Sequence, residues 1–137
     1  PFVAQTAAGI HKKIKVFGND YNTPDGTCIR DYINVMDLAY AHVTAVDRLL
    51  NKDLQVPEVY NLGTGKGLSV MELIKTFEAV NGVKVPYEIV GRREGDIEQV
   101  WANPSLAQKV LKWKAKASVE ETLASAWKWQ QRCMERK

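Results

Sequence analysis

The sequence has few cysteines, no long apolar run and little excess of either charge. Its two cysteines, Cys28 and Cys133, lie far apart and form no Cys-x-x-Cys motif, which excludes a disulfide-stapled scaffold and predicts a reducing, cytoplasmic environment. No apolar run approaches the roughly 20 residues that cross a bilayer, so we expect no membrane partner. The net charge of +3, from 19 basic and 16 acidic residues, is too small to indicate a nucleic-acid partner by itself.

Residue patterns that carry chemistry are also scarce. His11 and His42 lie far apart without a carboxylate or cysteine partner in a ligand spacing, so we predict no metal site. No Ser/His/Asp, Cys/His or paired-carboxylate arrangement identifies a catalytic residue. Because the sequence starts at Pro1 without an initiator Met or a basic leader, we expect the beginning of a longer protein to be missing.

What is present is an alternation of short strands with helices. Of the 137 residues, 45% are hydrophobic and 26% charged, which is typical of a folded chain, and the alternation predicts the α/β class. Strands are predicted at residues 15–18, 30–35, 59–62 and 87–90. Helices are predicted up to Gly9, from Asp37 to near Asn51, from Ser69 toward Val80, after Asn103 and Pro104, and from Ser118. An opening βαβ unit is absent, so the pattern indicates half of a larger fold.

Local signals place the helix ends and the buried faces. Ser69 with Glu72, and Ser118 with Glu121, fit the capping box, and Asp37 is expected to cap the long helix. The buried stripe of that helix is predicted at Leu38, Ala41, Ala45 and Leu49. In the last helix it is predicted at Leu123 and Trp127, and Trp113 is also assigned to a helix near the end of the chain.

A glycine-rich turn at residues 63–67 lies between a predicted strand and a predicted helix. Such a position attracts phosphate, but a dinucleotide fingerprint needs glycine where Leu68 stands, and the Walker-A spacing is also absent. The spacing therefore favours a structural turn over a phosphate loop.

Two arginine-bearing segments lie at strand ends and are candidates for binding an anion. The 92–96 segment, Arg-Arg-Glu-Gly-Asp, is equally consistent with a solvated charged turn and with a site in which a guanidinium binds phosphate and a carboxylate accepts from sugar hydroxyls. Arg30 follows a long loop of turn-forming residues. Phe17 could stack on a base, although a strand Phe is more often core.

Longer segments carry a family resemblance. Residues 16–39, the Tyr-Asn-Leu-Gly-Thr-Gly segment at 60–65, the 92–96 segment, Trp-Ala-Asn-Pro-Ser at 101–105 and Trp-x-Trp-Gln at 127–130 follow one another in the order seen in UDP-glucose 4-epimerases. The whole chain resembles these members of the extended short-chain dehydrogenase family. The loop before Arg30 and the 92–96 segment are the specific part of the match, since Arg-Asp-Tyr-Ile-x-Val-x-Asp-Leu-Ala occurs throughout the extended family.

The resemblance assigns this chain to the binding of the nucleotide. Lys15, Val16 and Phe17 resemble the strand that holds uracil through main-chain hydrogen bonds and the Phe ring. Arg30 and Arg93 match the two arginines that clamp the diphosphate.

It also assigns residues that contact the sugars. Asp96 matches the carboxylate that binds the ribose hydroxyls, and Tyr32 is a neighbour of the site. Asn34 replaces the usual His, which we expect to be tolerated because both are polar donors. Val100 stands where relatives restricted to plain hexoses often have Tyr, so a strict preference for glucose and galactose is in doubt.

The resemblance further implies an isomerase of galactose metabolism that uses NAD. The family's glycine motif for NAD and its catalytic Tyr-x-x-x-Lys pair belong to an N-terminal Rossmann domain that this sequence does not contain. Residues 1–137 are therefore expected to be one C-terminal, UDP-sugar-binding part, inactive alone. Its expected partners are the UDP-sugar and its own N-terminal domain, in a full-length homodimer, and the isolated chain is expected to self-associate.

Two alternatives stay open at this stage. One is a fragment of another nucleotide-sugar enzyme, a dehydratase or a decarboxylase, against which the loop between Phe17 and Thr27 argues. The other is an independent nucleotide- or RNA-binding module, against which the small net charge and the lack of interleaved aromatic residues argue.

Overall fold

The computed structural model describes residues 2–52 and 56–136, so Pro1 and Lys137, the ends of the predicted 1–137 part, lie outside the described residues. The predicted α/β class, with short strands and flanking helices, is confirmed. The elements are α1 Phe2–Ala7, β1 Ile14–Phe17, β2 Ile29–Arg30, α2 Val35–Asn51, β3 Leu68–Ser69, α3 Val70–Asn81, β4 Tyr87–Val90, β5 Gln99–Val100, α4 Ser105–Val110 and α5 Val119–Glu135.

The strands form two small sheets. β1 and β4 pair in parallel, with Phe17 opposite Val90, so the end of β1 lies beside the segment that follows β4. In the second sheet β2 lies between β3 and β5, antiparallel to the first and parallel to the second. Arg30 is paired with Val100 in this sheet. The two sheets thereby fix the positions of the two arginine-bearing segments.

The first hydrophobic core lies between β1 and the helices α1, α3 and α5. Val16 is 1% exposed, Phe77 is fully buried, and Leu123 packs with them. The Trp127 ring meets Phe77 edge to face, with 5.9 Å between ring centroids, a geometry that aromatic pairs prefer. The predicted Leu123 and Trp127 stripe is thus confirmed as core.

A second core surrounds Trp113, which is 1% exposed and packs against Ala41, Ala107 and Leu111. The prediction that Trp113 belongs to a helix is wrong, because residues 112–118 connect α4 to α5 without helical structure. The indole Nε1 donates to the Asp37 carbonyl oxygen at 3.0 Å, so this large side chain is buried with its polar group satisfied.

The start of α2 differs from the prediction. Asn34 is the cap, and its Oδ1 accepts from the Met36 amide at 2.8 Å, whereas Asp37 lies in the first turn. The Asp37 carboxylate instead accepts from the amides of Lys116 and Ala117, both at 2.9 Å. Either side chain can cap a helix, and the long-range bonds of Asp37 decide between them.

The predicted capping boxes are confirmed. Ser69 and Glu72 open α3, and Ser118 and Glu121 open α5, each with both reciprocal bonds. Gly82 ends α3 in the left-handed conformation, with φ 65°, which glycine adopts without steric cost.

Two predicted strands are wrong. Residues 31–34 are irregular, so the predicted 30–35 strand shrinks to Ile29–Arg30, because the Asp31 and Asn34 side chains are engaged in turn and cap bonds. Residues 59–62 form no ladder within the described ranges. A strand needs a neighbour to pair with, and the strand-forming residues Val59 and Tyr60 alone supply none.

Helix α2 has one packed face and one uncovered face. Of the predicted stripe, Ala41 is buried, whereas Leu49 is 63% exposed. The larger apolar side chains Met36, Tyr40, Val43, Val46 and Leu50 are exposed along the outer face. In the ranges that the structure describes, no helix has both the length and the apolar character required to cross a membrane.

Candidate functional site

Four of the predicted site residues meet at one place, which we call the arginine cluster: Phe17, Arg30, Arg93 and Asp96. Arg93 donates from Nη2 to Asp96 Oδ1 at 2.7 Å, and Arg30 Nη2 lies 3.8 Å from the same oxygen. The Arg93 guanidinium also lies over the Phe17 ring, 5.2 Å from its centroid. Residues from β1, β2 and the segment after β4 are therefore brought together.

A tight turn places Arg93 beside Asp96. The Asp96 amide donates to the Arg93 carbonyl oxygen at 3.2 Å, and Gly95 has φ 80°. A positive φ at the third position of a turn is where glycine is required. The glycine in the 92–96 segment thus has a specific structural purpose.

Arg30 is held at the boundary between β2 and β5. Its Nη1 donates to the Ile29 carbonyl oxygen at 2.8 Å and to the Glu98 carbonyl oxygen at 3.5 Å, and its side chain is 30% exposed. Glu98 also accepts from the Asn22 amide at 2.9 Å, which attaches the 19–27 loop to the same edge. The guanidinium is therefore oriented before any ligand binds.

The cluster carries more positive than negative charge. Two guanidinium groups, of Arg30 and Arg93, face the single carboxylate of Asp96. The hydrogen bond that Arg93 donates to the Asp96 carboxylate raises the pKa of the Arg93 guanidinium above its ordinary value, so the group stays protonated. Arginines arranged this way can bind a doubly charged anion with planar, directed donors.

Arg92 does not join the cluster, although the sequence pairs it with Arg93. Its Nε donates to Asp20 Oδ1 at 2.8 Å, its Nη2 donates to the Asp20 carbonyl oxygen at 2.6 Å, and its guanidinium stacks 4.0 Å from the Tyr21 ring centroid. The hydrogen bond from Arg92 holds the pKa of the Asp20 carboxyl below its usual value. The sequence did not predict that Arg92 holds the 19–27 loop, because the residues that it contacts are distant in sequence.

The side chains of the other two predicted strand residues, Lys15 and Val16, lie away from the cluster. Val16 points into the first core, and the Lys15 side chain is exposed, so neither side chain meets the cluster. Among the described residues β1 pairs with β4 alone, which leaves one edge of β1 with main-chain groups that can bind a ligand.

Val100 lies next to the cluster, whereas Tyr32 lines a separate cavity. Val100 is 46% exposed and is the ladder partner of Arg30, so it borders the site. Tyr32 lines a cavity of about 380 Å³ with Thr64 and Ser118, and this cavity shares no lining residue with the cluster. Burial raises the pKa of the Tyr32 phenol.

The 63–67 turn packs against its own chain. A methyl group on Gly63 would lie 2.6 Å from Ala102 Cβ and would clash with the Asp31 carboxylate, and one on Gly67 would clash with Ile29. These glycines permit close packing and do not form an open cradle for phosphate. Over the described residues, then, the turn does not fit a dinucleotide such as NAD.

Comparison with known proteins places the chain in a family. The model of the GDP-mannose 4,6 dehydratase family matches residues 1–126. The chain belongs to this family.

Within the GDP-mannose 4,6 dehydratase family, the chain is similar to UDP-glucose 4-epimerases, as the sequence predicts. It is 50% identical to the enzyme of Bacillus subtilis (strain 168) over 130 residues, which are 95% of this chain and 38% of that protein. It is 46% identical to the human enzyme, again over 95% of this chain, with 37% of that protein covered. The chain therefore spans less than two-fifths of the length of these relatives.

Solved structures of similar proteins have the same fold. The UDP-glucose 4-epimerase from Stenotrophomonas maltophila, with bound NAD and formylated UDP-arabinopyranose, has a TM-score of 0.95 and 46% identity, covering 100% of this chain and 40% of that one. The enzyme from Bifidobacterium longum, in complex with NAD+ and UDP, has a TM-score of 0.90 and 47% identity, covering 96% of this chain and 38% of that one.

Proposed function

We propose that this chain is the UDP-hexose-binding part of a UDP-glucose 4-epimerase, an isomerase of galactose metabolism that interconverts UDP-glucose and UDP-galactose. The observation that carries the proposal is the arginine cluster. It combines two oriented cations, a carboxylate and an aromatic ring within one small area, which are the groups that recognise a nucleoside diphosphate.

The diphosphate binds to Arg30 and Arg93. Both guanidinium groups lie within 3.8 Å of the same Asp96 oxygen, so they are close enough together to contact two adjacent phosphates. Charge-assisted hydrogen bonds contribute about 1.5–3 kcal/mol each when partly shielded from water. Arg30 is the more shielded of the two, whereas the Arg93 side chain is 64% exposed and gains shielding when the ligand covers it.

The nucleoside binds on either side of the clamp. The Asp96 carboxylate accepts from the ribose hydroxyls. The main chains of Lys15 and Phe17 point to the free edge of β1, since the alternate residues, Val16 among them, face β4, and this edge pairs with uracil. Among the described residues, the contacts of both arginines are to Oδ1 of Asp96, so Oδ2 is the oxygen that we propose accepts a sugar hydroxyl.

NAD supplies the redox chemistry at the sugar C4 when it is bound by the N-terminal Rossmann domain. The residues of this chain bind and orient the UDP-sugar, and none of them is assigned a catalytic role. We propose that residues 1–137 act as one part in this task, in the cytoplasm, where the free thiols of Cys28 and Cys133 remain reduced.

A calorimetric titration tests this function. The longer protein that contains this chain should bind UDP and should not bind an RNA oligomer with a steep salt dependence, as an RNA-binding module would. Turnover of UDP-galactose separates an epimerase from a dehydratase or a decarboxylase, since only the epimerase yields UDP-glucose. Absence of UDP binding would refute the proposal.

The width of the sugar pocket depends on Val100. During epimerisation the keto sugar turns over in its pocket, and an N-acetyl group at C2 needs the volume that a Tyr would fill. We expect the full-length enzyme to interconvert UDP-GlcNAc and UDP-GalNAc as well as the plain hexoses. Val100→Tyr should lower turnover of UDP-GalNAc about ten- to hundredfold, the cost of overpacking by roughly 1–3 kcal/mol, and should spare UDP-galactose.

Coupled assays with the two substrates measure this difference. Val100→Ile, which adds one methylene, serves as the matched control and should leave the ratio of the two rates nearly unchanged. An intact enzyme that converts UDP-galactose but not UDP-GalNAc would show that Val100 does not control the pocket.

The uncovered face of α2 is the contact surface for the N-terminal domain. Large apolar patches are rarely left exposed, and Val43 and Leu50 on this face are 63% and 80% exposed. The chain spans about 38% of its relatives' length, so the remaining part is large enough to cover the face. The 59–62 segment, which forms no ladder among the described residues, packs beside the same helix through Tyr60 and Leu62. In the full-length protein, which we propose to be a homodimer, we expect both to be covered by that domain.

Without this cover, isolated chains should associate through the same face. We expect light scattering to show dimers or larger species of the 137-residue chain, and Val43→Lys with Leu50→Lys to shift them toward monomer by placing charge on the face. Gln131→Lys, on the exposed side of α5, is the control and should have no effect. A stable monomer at high concentration would contradict this expectation.

A further inference from the structure

Asp31 connects three separate segments, although it directly follows an arginine of the cluster. Its carboxylate accepts from the Thr64 amide, 3.1 Å from each oxygen, and from Thr64 Oγ1 at 2.7 Å. Oδ2 also accepts from the Ala102 amide at 3.2 Å. Gly63 lies so close to this carboxylate that no side chain fits there.

Three donors satisfy the Asp31 carboxylate, and they come from the 63–67 turn and from the residues just after β5. Each strand of this sheet contains only two residues, so the ladder bonds between them are few. Asp31 adds cross-links at the end of the central strand, toward both of its neighbours.

These bonds fix the strand pair that carries two site residues. Arg30 is the last residue of β2 and immediately precedes Asp31. Its ladder partner Val100 lies two residues before Ala102. We propose that Asp31 is a positioning residue that holds β2 against β5, so that Arg30 meets the diphosphate at a fixed distance from the pocket wall at Val100. This inference rests on the proposed function of the cluster.

A double-mutant cycle on UDP affinity tests whether Asp31 acts through Arg30. Asp31→Asn keeps the shape of the side chain but turns one acceptor into a donor facing the amide of Thr64 or Ala102. In the full-length protein we expect it to raise the Kd for UDP about fivefold, the size of one lost hydrogen bond. In the Arg30→Ala background the same change should raise the Kd less than about twofold, because the positioned group is gone.

Additive effects in the cycle would show a general structural role and would overturn the proposal, as would an unchanged Kd for Asp31→Asn alone. Glu120→Gln is the matched control, since it makes the same carboxylate-to-amide change at an exposed residue of α5. It should leave the Kd unchanged, and an equal loss there would also overturn the proposal.

Thermal unfolding of each variant checks that it is folded. If Asp31→Asn does not fold, the cycle is run with Thr64→Val, which should show the same coupling to Arg30. This change removes the hydroxyl that donates to Asp31 and that also accepts from the Lys66 amide. A wild-type protein that does not bind UDP refutes the proposed function itself, which separates that failure from a failure of the assignment of Asp31.

Discussion

The purified 137-residue chain, supplied with NAD, is expected to give no turnover of UDP-galactose. No tyrosine in the sequence is followed by lysine four positions later, so the catalytic pair of the family is absent from it. The arginine cluster offers binding groups and no assigned proton acceptor. Enzymes accelerate their reactions at least about a millionfold, and the catalytic groups that this requires are not among the residues assigned here. We therefore expect no detectable epimerase activity from the isolated chain. A coupled assay for UDP-glucose, on a sample of verified mass, measures it.

The full-length protein in the same assay is the positive control, and circular dichroism shows whether the isolated chain is folded. Turnover by a folded sample of verified 137-residue mass would contradict the prediction and would require catalytic residues within this sequence. Added full-length enzyme at trace level sets the detection limit.

Loss of the Arg93 guanidinium is expected to weaken UDP binding about thirtyfold. In the proposed site, Arg93→Ala removes a charge-assisted bond to the diphosphate worth roughly 2 kcal/mol. Asp96 then lacks its 2.7 Å partner and retains Arg30 at 3.8 Å, so less positive charge remains to attract the anion. Calorimetry on the full-length protein gives the affinity. Arg93→Lys, which keeps the charge without the planar fork, should recover only part of it.

Arg92→Ala is the matched control for this experiment. Arg92 is the next residue in the chain and has the same charge, but its guanidinium is bound to Asp20 and stacked on Tyr21. We expect its loss to change UDP affinity less than about threefold, since exposed ion pairs contribute little. Unchanged affinity in both Arg30→Ala and Arg93→Ala would remove these residues from the site.

The elements that the sequence predicts correctly are those determined by neighbouring residues. The capping boxes at Ser69 and Ser118 and the glycine stop at Gly82 are local bonds, and all three are confirmed. The strand predicted at 59–62 is wrong because a strand is defined by its partner. Asp37 is wrong as a cap because its carboxylate bonds to the distant 116–117 amides.

In the site, too, features set by neighbouring residues can be predicted, whereas those that depend on distant residues cannot. The resemblance to a family brought Phe17, Arg30, Arg93 and Asp96 together, and the structure places them in contact. Spacing alone left the 92–96 segment undecided. The separation of Arg92 from Arg93, and the bonds of Asp31, depend on residues more than thirty positions away, which no local pattern contains.

The turn at Gly95 has a consequence for how the chain tolerates change in length. The side chains of Arg93 and Asp96 project from one turn, which is closed by a single backbone hydrogen bond. Their separation is therefore set by the number of residues between them. Insertion of one residue here would move the carboxylate away from the guanidinium, whereas Glu94, whose side chain is exposed, can be exchanged freely. This short segment must therefore preserve its length as well as Arg93, Gly95 and Asp96.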